Sequence, residues 1–208
     1  MEYEAIVYDI DGTLLNTVDM NMYPLIQVIY KELGIVKTFD EVKKYFCLTG
    51  KETMNRLNLD YDTVYPKWVI YVNEYKDKAI PYDGILEVLA AVKKMNLKQG
   101  VASAKNKNQY EIDMKNSHLY DYIDAAVLFE DTDKHKPDPE PLLCMLKKLD
   151  LPPNKVLYIG DAIVDRDASI AAGIDFAQAK WAGLIEEDLS GAKYYLSSPN
   201  ELLDILKK

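Results

Sequence analysis

The sequence predicts an α/β protein that combines a parallel β-sheet with an inserted helical domain. Short apolar segments typical of buried strands recur along the chain, and amphipathic segments of helical length separate them. One long stretch near the amino terminus contains no convincing strand and is instead apolar at helical spacing. Because strands that alternate with helices form right-handed crossovers, the strands are expected to run parallel.

The predicted strands share β-branched or aromatic residues and an abrupt end. The first covers residues 3–9 and stops at Asp9, Asp11 and Gly12. The others are 97–103, 124–129, 155–160, 174–179 and 193–196. Amphipathic stretches between the strands predict helices at 84–95, 138–149 and 164–172.

The predicted insert is helical throughout. Its first helix is apolar at helical spacing up to Gly34, and further helices are predicted at 39–47, 50–58 and 61–78. The aromatic residues of the last helix are interpreted as packing residues. Pro81 and Gly84 mark the return to the sheet. The predicted domain boundaries are 1–15 and 82–208 for the sheet core and 16–81 for the insert.

Composition narrows the function classes. The chain has 208 residues and a formal charge of −9, which argues against nucleic-acid binding. Cys47 and Cys144 have no paired spacing, so we expect neither a structural zinc nor a disulfide, as in a reducing compartment. The amino terminus has no basic region and is interrupted by acidic residues, so neither a signal peptide nor a membrane span is expected. These features predict a cytoplasmic protein without a membrane partner.

The first motif with chemical potential is Asp9-Ile10-Asp11-Gly12-Thr13-Leu14, at the end of the first strand. A strand that turns here can bring a carboxylate and a neighbouring carbonyl together, which makes a cation site. Two crowded carboxylates repel each other, so a metal, a proton or a hydrogen bond is needed to relieve the conflict. The alternative is a solvated Asp-Gly turn.

A second acidic motif follows a buried strand near the other end of the chain. Gly160 permits close backbone approach, and Asp161 and Asp165 are four residues apart, so both could point towards one ion. Ligands of open α/β sheets bind outside the carboxyl ends of the strands, which is where both acidic motifs fall. The two motifs are therefore expected to form one site.

Two weaker signals accompany the acidic motifs. Ser103 ends a strand, and its hydroxyl with nearby backbone N–H groups such as that of Ala104 could hold an oxyanion, although serine here is usually a helix cap. Lys136 precedes Pro137-Asp138-Pro139, which restricts the backbone and presents the lysine from a stiff turn. In isolation this lysine would be a solvated surface residue.

Together the four motifs resemble the haloacid dehalogenase superfamily, in its phosphatase branch with a helical C1-type cap. The matches follow in the family's order: D-x-D-G-T-L from Asp9, Ser103 after a strand, Lys136 in K-P-D-P, and G-D-x-x-x-D from Gly160. The resemblance implies a Rossmann-like parallel sheet core with an inserted α-helical cap domain. Ala162 departs from the pattern, because many relatives have a small hydroxyl residue there, but it removes no proposed ligand.

The resemblance also implies catalytic roles. Asp9 would attack phosphorus and form an aspartyl-phosphate, and Asp11 would protonate the leaving oxygen and then activate water. Ser103, Ala104 and Lys136 would bind the transferring phosphoryl group.

The cofactor implied by the resemblance is Mg²⁺. Asp9, the main-chain carbonyl of Asp11 and Asp161 would hold it, and Asp165 would orient these ligands. The dehalogenases and the phosphonate-cleaving members of the family generally lack the second aspartate of the first motif. Because this chain has that aspartate, Asp11, the resemblance favours the hydrolysis of phosphate esters.

In the insert, Gly50 and Lys51 fall where related enzymes place a substrate-specificity loop. Lys51 is explained equally well as a solvated lysine at the start of a helix. The expected activity is magnesium-dependent hydrolysis of small phosphorylated metabolites by a monomer or homodimer. Two alternatives stay open: a phosphomutase of the β-phosphoglucomutase type, which shares all four motifs, and a non-catalytic phosphate-sensing module.

Overall fold

The structure is a computed structural model that describes residues 2–46, 48–75, 79–185 and 187–207. The chain divides into two compact units, Met1–Asn16 with Ile80–Lys208 and Thr17–Ala79. The sequence-based boundaries lie within one or two residues of these. That the second unit acts as a cap stays a prediction.

The first unit is built on a parallel sheet. The strands are β1 (Ala5–Tyr8), β2 (Leu15–Asn16), β3 (Ile80–Pro81), β4 (Lys98–Ala102), β5 (Ala125–Val127), β6 (Val156–Gly160), β7 (Asp175–Ala179) and β8 (Tyr194–Leu196). Six of them form the sheet in the order β5-β4-β1-β6-β7-β8, with every neighbouring pair parallel, while β2 and β3 pair antiparallel. The predicted fold class is confirmed, and each of the six predicted segments contains one strand of this sheet.

The helices agree with the sequence where an apolar stripe exists. They are α1 (Val18–Leu33), α2 (Phe39–Val42), α3 (Gly50–Arg56), α4 (Tyr61–Glu74), α5 (Ile85–Lys94), α6 (Lys107–Asn116), α7 (Glu140–Leu149), α8 (Ile163–Ala172) and α9 (Glu201–Leu206). Of the sheet-core helices, α5, α7 and α8 were predicted, whereas α6 and the short α9 were not. Helix α6 is not predicted because, among its ten residues, only Tyr110, Asp113 and Met114 are buried.

The core of the first unit fixes the ends of the central strands. Every residue of β1 and β6 is buried, as expected for strands covered on both faces. On one side Val7 and Tyr158 pack with Leu142 and Met145 of α7 and with Ala168 of α8. The carboxyl ends of these strands are therefore held in place by packing before any polar contact is considered.

The helical unit is held together largely by α1 and α4. Trp68 of α4 is buried, and its Nε1 donates a hydrogen bond to the backbone oxygen of Asn21 in α1, 3.0 Å away. Tyr65 lies edge-on to Trp68, with ring centroids 6.0 Å apart, and stacks on Tyr61 at 4.8 Å. For these residues the predicted packing role of the aromatic stripe is confirmed.

Three predicted helices of the insert are shorter than expected, and the prediction 50–58 corresponds to α3, which ends at Arg56. The prediction 39–47 corresponds to α2 and a following 3₁₀ turn, Lys43–Tyr45, while Cys47 lies outside the described residues. The prediction 61–78 corresponds to α4, which ends at Glu74 because Tyr75 has an extended backbone. Residues 76–78 lie outside the described part of the chain.

Two features of the described residues concern membrane spanning and disulfide formation. None of the described helices has the length and apolar character needed to cross a membrane. Cys144 is free and packs, partly buried, against the core of the first unit.

Candidate active site

Three carboxylates meet at the carboxyl edge of the sheet. Asp9 directly follows β1, and Asp161 directly follows its neighbour β6, so the parallel pairing places both at one edge. Asp165 lies in the first turn of α8. One carboxylate oxygen from each of these residues lies within 4.8 Å of the others. The two acidic motifs, far apart in sequence, therefore form one cluster.

The turn after β1 is pressed against Asp161. Gly12 has a left-handed backbone (φ +84°), and a Cβ built there would lie 2.6 Å from Asp161 Oδ2. The next residue, Thr13, donates its hydroxyl hydrogen to Asp161 Oδ1 at 3.1 Å, and its backbone oxygen accepts from Trp181 Nε1 at 2.9 Å. Glycine at position 12 is thus required both by the backbone conformation and by the close approach of the carboxylate.

Gly160 plays a similar part for Asp165. A Cβ at position 160 would lie 2.6 Å from the Asp165 side chain, so the absence of a side chain lets Asp165 fold back over the end of β6. Asp165 Oδ2 accepts the backbone N–H of Ala162 at 3.1 Å, which also satisfies a free donor at the start of α8. The carboxylate of Asp165 is therefore held by its own helix.

Lys136 joins the cluster from the loop before α7. Its Nζ has four oxygen neighbours: Asp9 Oδ1 at 2.8 Å, Asp165 Oδ1 at 2.6 Å, the Tyr158 hydroxyl at 2.9 Å and the Ala102 backbone oxygen at 3.1 Å. The Tyr158 hydroxyl lies 2.9 Å from Asp165 Oδ1 as well. The lysine side chain is only 8% exposed, so it is a buried counter-ion of the carboxylates and not a surface residue.

Ser103 and Ala104 lie beside Lys136. Ser103 directly follows β4 and is buried, and its Oγ accepts the backbone N–H of Lys105 at 3.3 Å. Ser103, Ala104 and Lys136 line one small cavity together with Leu128, Thr132, His135 and Pro141. The structure thus brings the three residues predicted to bind phosphate to one place.

Asp11 occupies a different environment from Asp9. Its side chain is 30% exposed, and its Oδ1 lies 3.0 Å from the Nζ of Lys105. Lys105 also pairs with Asp113 Oδ2 of α6, at 2.8 Å. The two aspartates of the first motif therefore face different lysines.

The crowding of carboxylates perturbs their protonation. Burial, reinforced by Asp165 and Asp11 and opposed by Lys136, raises the pKa of Asp9 to about 7. Burial, reinforced by Asp165 and Asp9, raises the pKa of Asp161 well above its ordinary value. Burial alone would lower the pKa of Lys136, but Asp165 and Asp9 hold it well above the usual range, so the lysine stays charged.

These residues fit a divalent cation. Asp9 and Asp161 offer hard carboxylate oxygens of the kind that Mg²⁺ prefers. Among the residues that the structure describes, no lysine or arginine forms an ion pair with Asp161, so a cation bound there would favour its ionised form over the protonated form that burial favours. Asp165 has hydrogen-bond donors on both oxygens, which fits a residue that orients the ligands.

Comparison with known proteins places this site in a family. The sequence model of the family described as haloacid dehalogenase-like hydrolase matches residues 6–179. The chain belongs to this family. This chain is 30% identical to a protein of Caldanaerobacter subterraneus subsp. tengcongensis provisionally named pyrophosphatase PpaX, over all of this chain and 96% of the relative. It is 29% identical to N-acetylmuramic acid 6-phosphate phosphatase of Pseudomonas aeruginosa, with the same two coverages.

A solved structure agrees with the family membership. A protein of Lactobacillus plantarum, provisionally named phosphoglycolate phosphatase, superposes with a TM-score of 0.91 at 25% identity, covering 99% of this chain and 100% of that one. The resemblance drawn from the four motifs is confirmed. The chain is an enzyme of the hydrolase family, and the relatives reported above are named as phosphatases.

Gly50 and Lys51 of the hydrolase lie in the helical unit. Gly50 is the first residue of α3, and a Cβ there would collide with the ring of Tyr65 in α4, so glycine permits the two helices to pack. Lys51 is exposed. The substrate-selecting role of both residues stays a prediction.

Four contributors to the site are absent from the predicted set: Thr13, Lys105, Asp113 and Tyr158. Thr13 lies inside the first predicted motif and Lys105 is two residues after Ser103, so their positions in the sequence were a usable signal. Tyr158 reads as an ordinary strand residue, because nothing in the sequence shows that its hydroxyl reaches Asp165. Asp113 lies in α6, which has no apolar stripe to predict it.

Without a bound cation, we expect the hydrolase to be less stable near pH 8 than near pH 5.5. A carboxyl with a raised pKa in the folded state binds its proton more tightly when folded. Its stabilising contribution is full below the unfolded pKa of 3.8 and is lost as the pH rises through about 7 for Asp9, and Asp161 acts in the same direction. Each kcal/mol is worth about 2–4 °C in Tm for a chain of this size.

Thermal melts in EDTA at the two pH values test this expectation. Asp9→Asn removes one titrating carboxyl, so it should flatten the difference and raise the Tm near pH 8. An equal pH dependence in the wild type and this variant would contradict the assignment of the crowded charge to Asp9.

Proposed function

We propose that this hydrolase is a magnesium-dependent phosphatase that acts on small phosphorylated metabolites through a covalent aspartyl-phosphate. The observation that carries the proposal is the convergence of Asp9, Asp161, Asp165 and Lys136, which come from three separate parts of the sequence, around one buried point. A nucleophilic carboxylate, a lysine and further acidic ligands are what phosphoryl transfer to a protein side chain needs.

In the first step an Asp9 oxygen bonds to phosphorus while the bond from phosphorus to the leaving oxygen breaks. Asp11 gives its proton to that oxygen, so the leaving group departs as a neutral hydroxyl. Lys136, the Ser103 hydroxyl and the Ala104 N–H bind the non-reacting phosphoryl oxygens and balance their charge. The cavity that these three residues share supports this placement.

In the second step a water oxygen bonds to phosphorus, and the bond from phosphorus to the Asp9 oxygen breaks. Asp11, now ionised, accepts the water proton, so inorganic phosphate leaves and both aspartates return to their starting state. Asp11 is the more exposed of the two, which favours an exchange of protons with water.

Asp9, the Asp11 main-chain carbonyl and Asp161 are the proposed magnesium ligands, with Asp165 as the orienting residue. Bound Mg²⁺ supplies positive charge that favours the ionised form of Asp9 and offsets the phosphate charge. This need is concrete, because the pKa of Asp9 without a cation is about 7 and much of the nucleophile would be protonated at neutral pH.

The substrate class follows from the chemistry and from the relatives' names. Those names specify a pyrophosphatase, a sugar-phosphate phosphatase and a phosphoglycolate phosphatase, so we propose phosphomonoesters and pyrophosphate as candidates. These three names support hydrolysis over the mutase alternative. The phosphate-sensing alternative is disfavoured, because a module that only binds phosphate needs no acidic residue beside a nucleophile. Substrate selection by Gly50 and Lys51 and a monomeric or homodimeric state complete the proposal.

A phosphate-release panel with and without magnesium tests the proposal. It contains p-nitrophenyl phosphate, sugar phosphates, phosphoglycolate and pyrophosphate. We expect phosphate release with Mg²⁺, loss of release in EDTA, and recovery when Mg²⁺ is added back. Asp161→Asn should bind magnesium more weakly, so it should need a higher Mg²⁺ concentration to reach half of its maximal rate. Release that EDTA leaves unchanged would contradict the metal role. Isomerised sugar phosphate without free phosphate would identify a mutase.

A further inference from the structure

Lys105 bridges two carboxylates that come from different parts of the fold. Its Nζ lies 3.0 Å from Oδ1 of Asp11 and 2.8 Å from Oδ2 of Asp113, and its side chain is only 9% exposed. Burial alone would lower the pKa of Lys105, but Asp11 and Asp113 raise it to about 12, so the lysine is a fixed positive charge. A buried ammonium group of this kind is retained only where partners compensate its desolvation.

The backbone of Lys105 is fixed on both sides. Its N–H donates to Oγ of Ser103 at 3.3 Å, and its carbonyl oxygen accepts the N–H of Phe129 at 3.1 Å. The backbone of the lysine is therefore held rigidly beside the proposed phosphate-binding serine. The position of its ammonium group then depends only on the side-chain torsion angles.

Asp113 sets those torsions. It is buried in α6, where Oδ1 accepts from Nε2 of Gln109 at 2.7 Å and Oδ2 accepts from Lys105. The neighbouring Met114 and nearby Tyr110 are buried as well, so this face of α6 is anchored in the first unit. Asp113 is thus a fixed anion that holds the lysine in place.

We infer that Lys105, held by Asp113, is a positioning residue that orients Asp11 for proton transfer. The inference rests on the proposed function, in which Asp11 is the acid of the first step. Lys105 fixes Oδ1 and restricts rotation of the carboxyl group. When Asp11 gives its proton to the leaving oxygen, the adjacent ammonium group stabilises the carboxylate that forms. Proton and charge balance are unchanged, because Lys105 keeps all its protons.

The inference predicts a leaving-group dependence. The ratio kcat/KM reports events up to formation of the aspartyl-phosphate, and an alkoxide leaving group needs its proton far more than p-nitrophenolate does. Lys105→Met should therefore lower kcat/KM by about 10–100-fold for the best alkyl phosphate of the panel, with the loss in kcat, but by less than about 3-fold for p-nitrophenyl phosphate. Asp113→Asn should give the same pattern more weakly.

The controls separate positioning from structure. Lys107→Met changes an exposed lysine two residues away that pairs with Asp131, and it should leave both substrates unaffected. Arginine keeps the charge and can donate to both carboxylates, so Lys105→Arg should show a smaller loss than Lys105→Met. If Lys105→Met has a Tm far below that of the wild type, the test uses Asp113→Asn, because asparagine has nearly the same shape as aspartate.

A double-mutant cycle decides whether Lys105 acts through Asp11. Adding Lys105→Met to Asp11→Asn should cost little beyond Asp11→Asn alone. Fully multiplicative losses, or an equal loss on the alkyl and aryl substrates, would overturn the inference and point to a direct substrate contact or a general folding defect. Failure of the proposed function itself looks different, because the wild type would then release no phosphate from any substrate.

Discussion

Replacing Asp9 with Asn is expected to reduce phosphate release by roughly 10⁴–10⁶-fold, the largest effect of any single change. The amide keeps the shape of the side chain but is a poor nucleophile, so the covalent step is lost. It also removes the charge that pairs with Lys136, at 2.8 Å. Because the amide oxygen can still accept that hydrogen bond, the surrounding contacts should survive.

The measurement needs a rate and a covalent product. Rapid acid quenching of the wild type with substrate, followed by peptide mass spectrometry, should find one phosphoryl group on the peptide that contains Asp9. Asp133→Asn is a suitable control, because Asp133 is exposed in the same loop as Lys136. A phosphoryl group on another residue, or a rate that survives Asp9→Asn, would refute the nucleophile assignment.

Replacing Asp11 with Asn is expected to have the second-largest effect, about 10²–10⁴-fold for substrates with alkyl leaving groups. Asparagine can neither give a proton to the leaving oxygen nor take one from water. The carbonyl proposed as a metal ligand is in the backbone and is retained, so magnesium affinity should change little. Asp9→Asn, by contrast, replaces a charged side-chain ligand with a neutral one.

Two readouts separate these roles. Isothermal titration with Mg²⁺ should show near-normal binding to Asp11→Asn and weakened binding to Asp9→Asn. With excess p-nitrophenyl phosphate, Asp11→Asn should still release a rapid burst of nitrophenolate in the first turnover, since this leaving group needs little protonation. Hydrolysis of the aspartyl-phosphate should then be slow and limit later turnovers. A variant that loses the burst as fully as Asp9→Asn would contradict the acid–base assignment.

The sequence was sufficient for the centre of the sheet because its central strands, β1 and β6, are fully buried. β1 and β6 are apolar throughout and end at acidic residues, so both their extent and their functional edge could be predicted. Parallel pairing placed Asp9 and Asp161 at the same edge of the sheet, whereas their proximity also depends on β1 and β6 being neighbours. The site could be located in this way because a parallel sheet brings all carboxyl ends to one edge.

What could not be predicted depends on side-chain reach. Lys136 was expected on a stiff turn, but its burial against two carboxylates requires the positions of β1 and α8. The polar helix α6 shows no apolar period, because it packs through very few residues, so Asp113 could not be found. The packing of Gly50 against Tyr65 is likewise revealed only by the helix arrangement, since the sequence places Gly50 in a substrate-specificity loop.

The burial of Lys136 has a consequence for genetics. One ammonium group contacts β4, β6, α8 and the residue that follows β1, so losing it would leave Asp9 and Asp165 without their buried counter-ion. Breaking a buried pair in this way typically costs about 3–5 kcal/mol, enough to lower the amount of folded protein in a cell. A screen for inactive alleles would thus recover position 136 through low abundance as well as through lost chemistry.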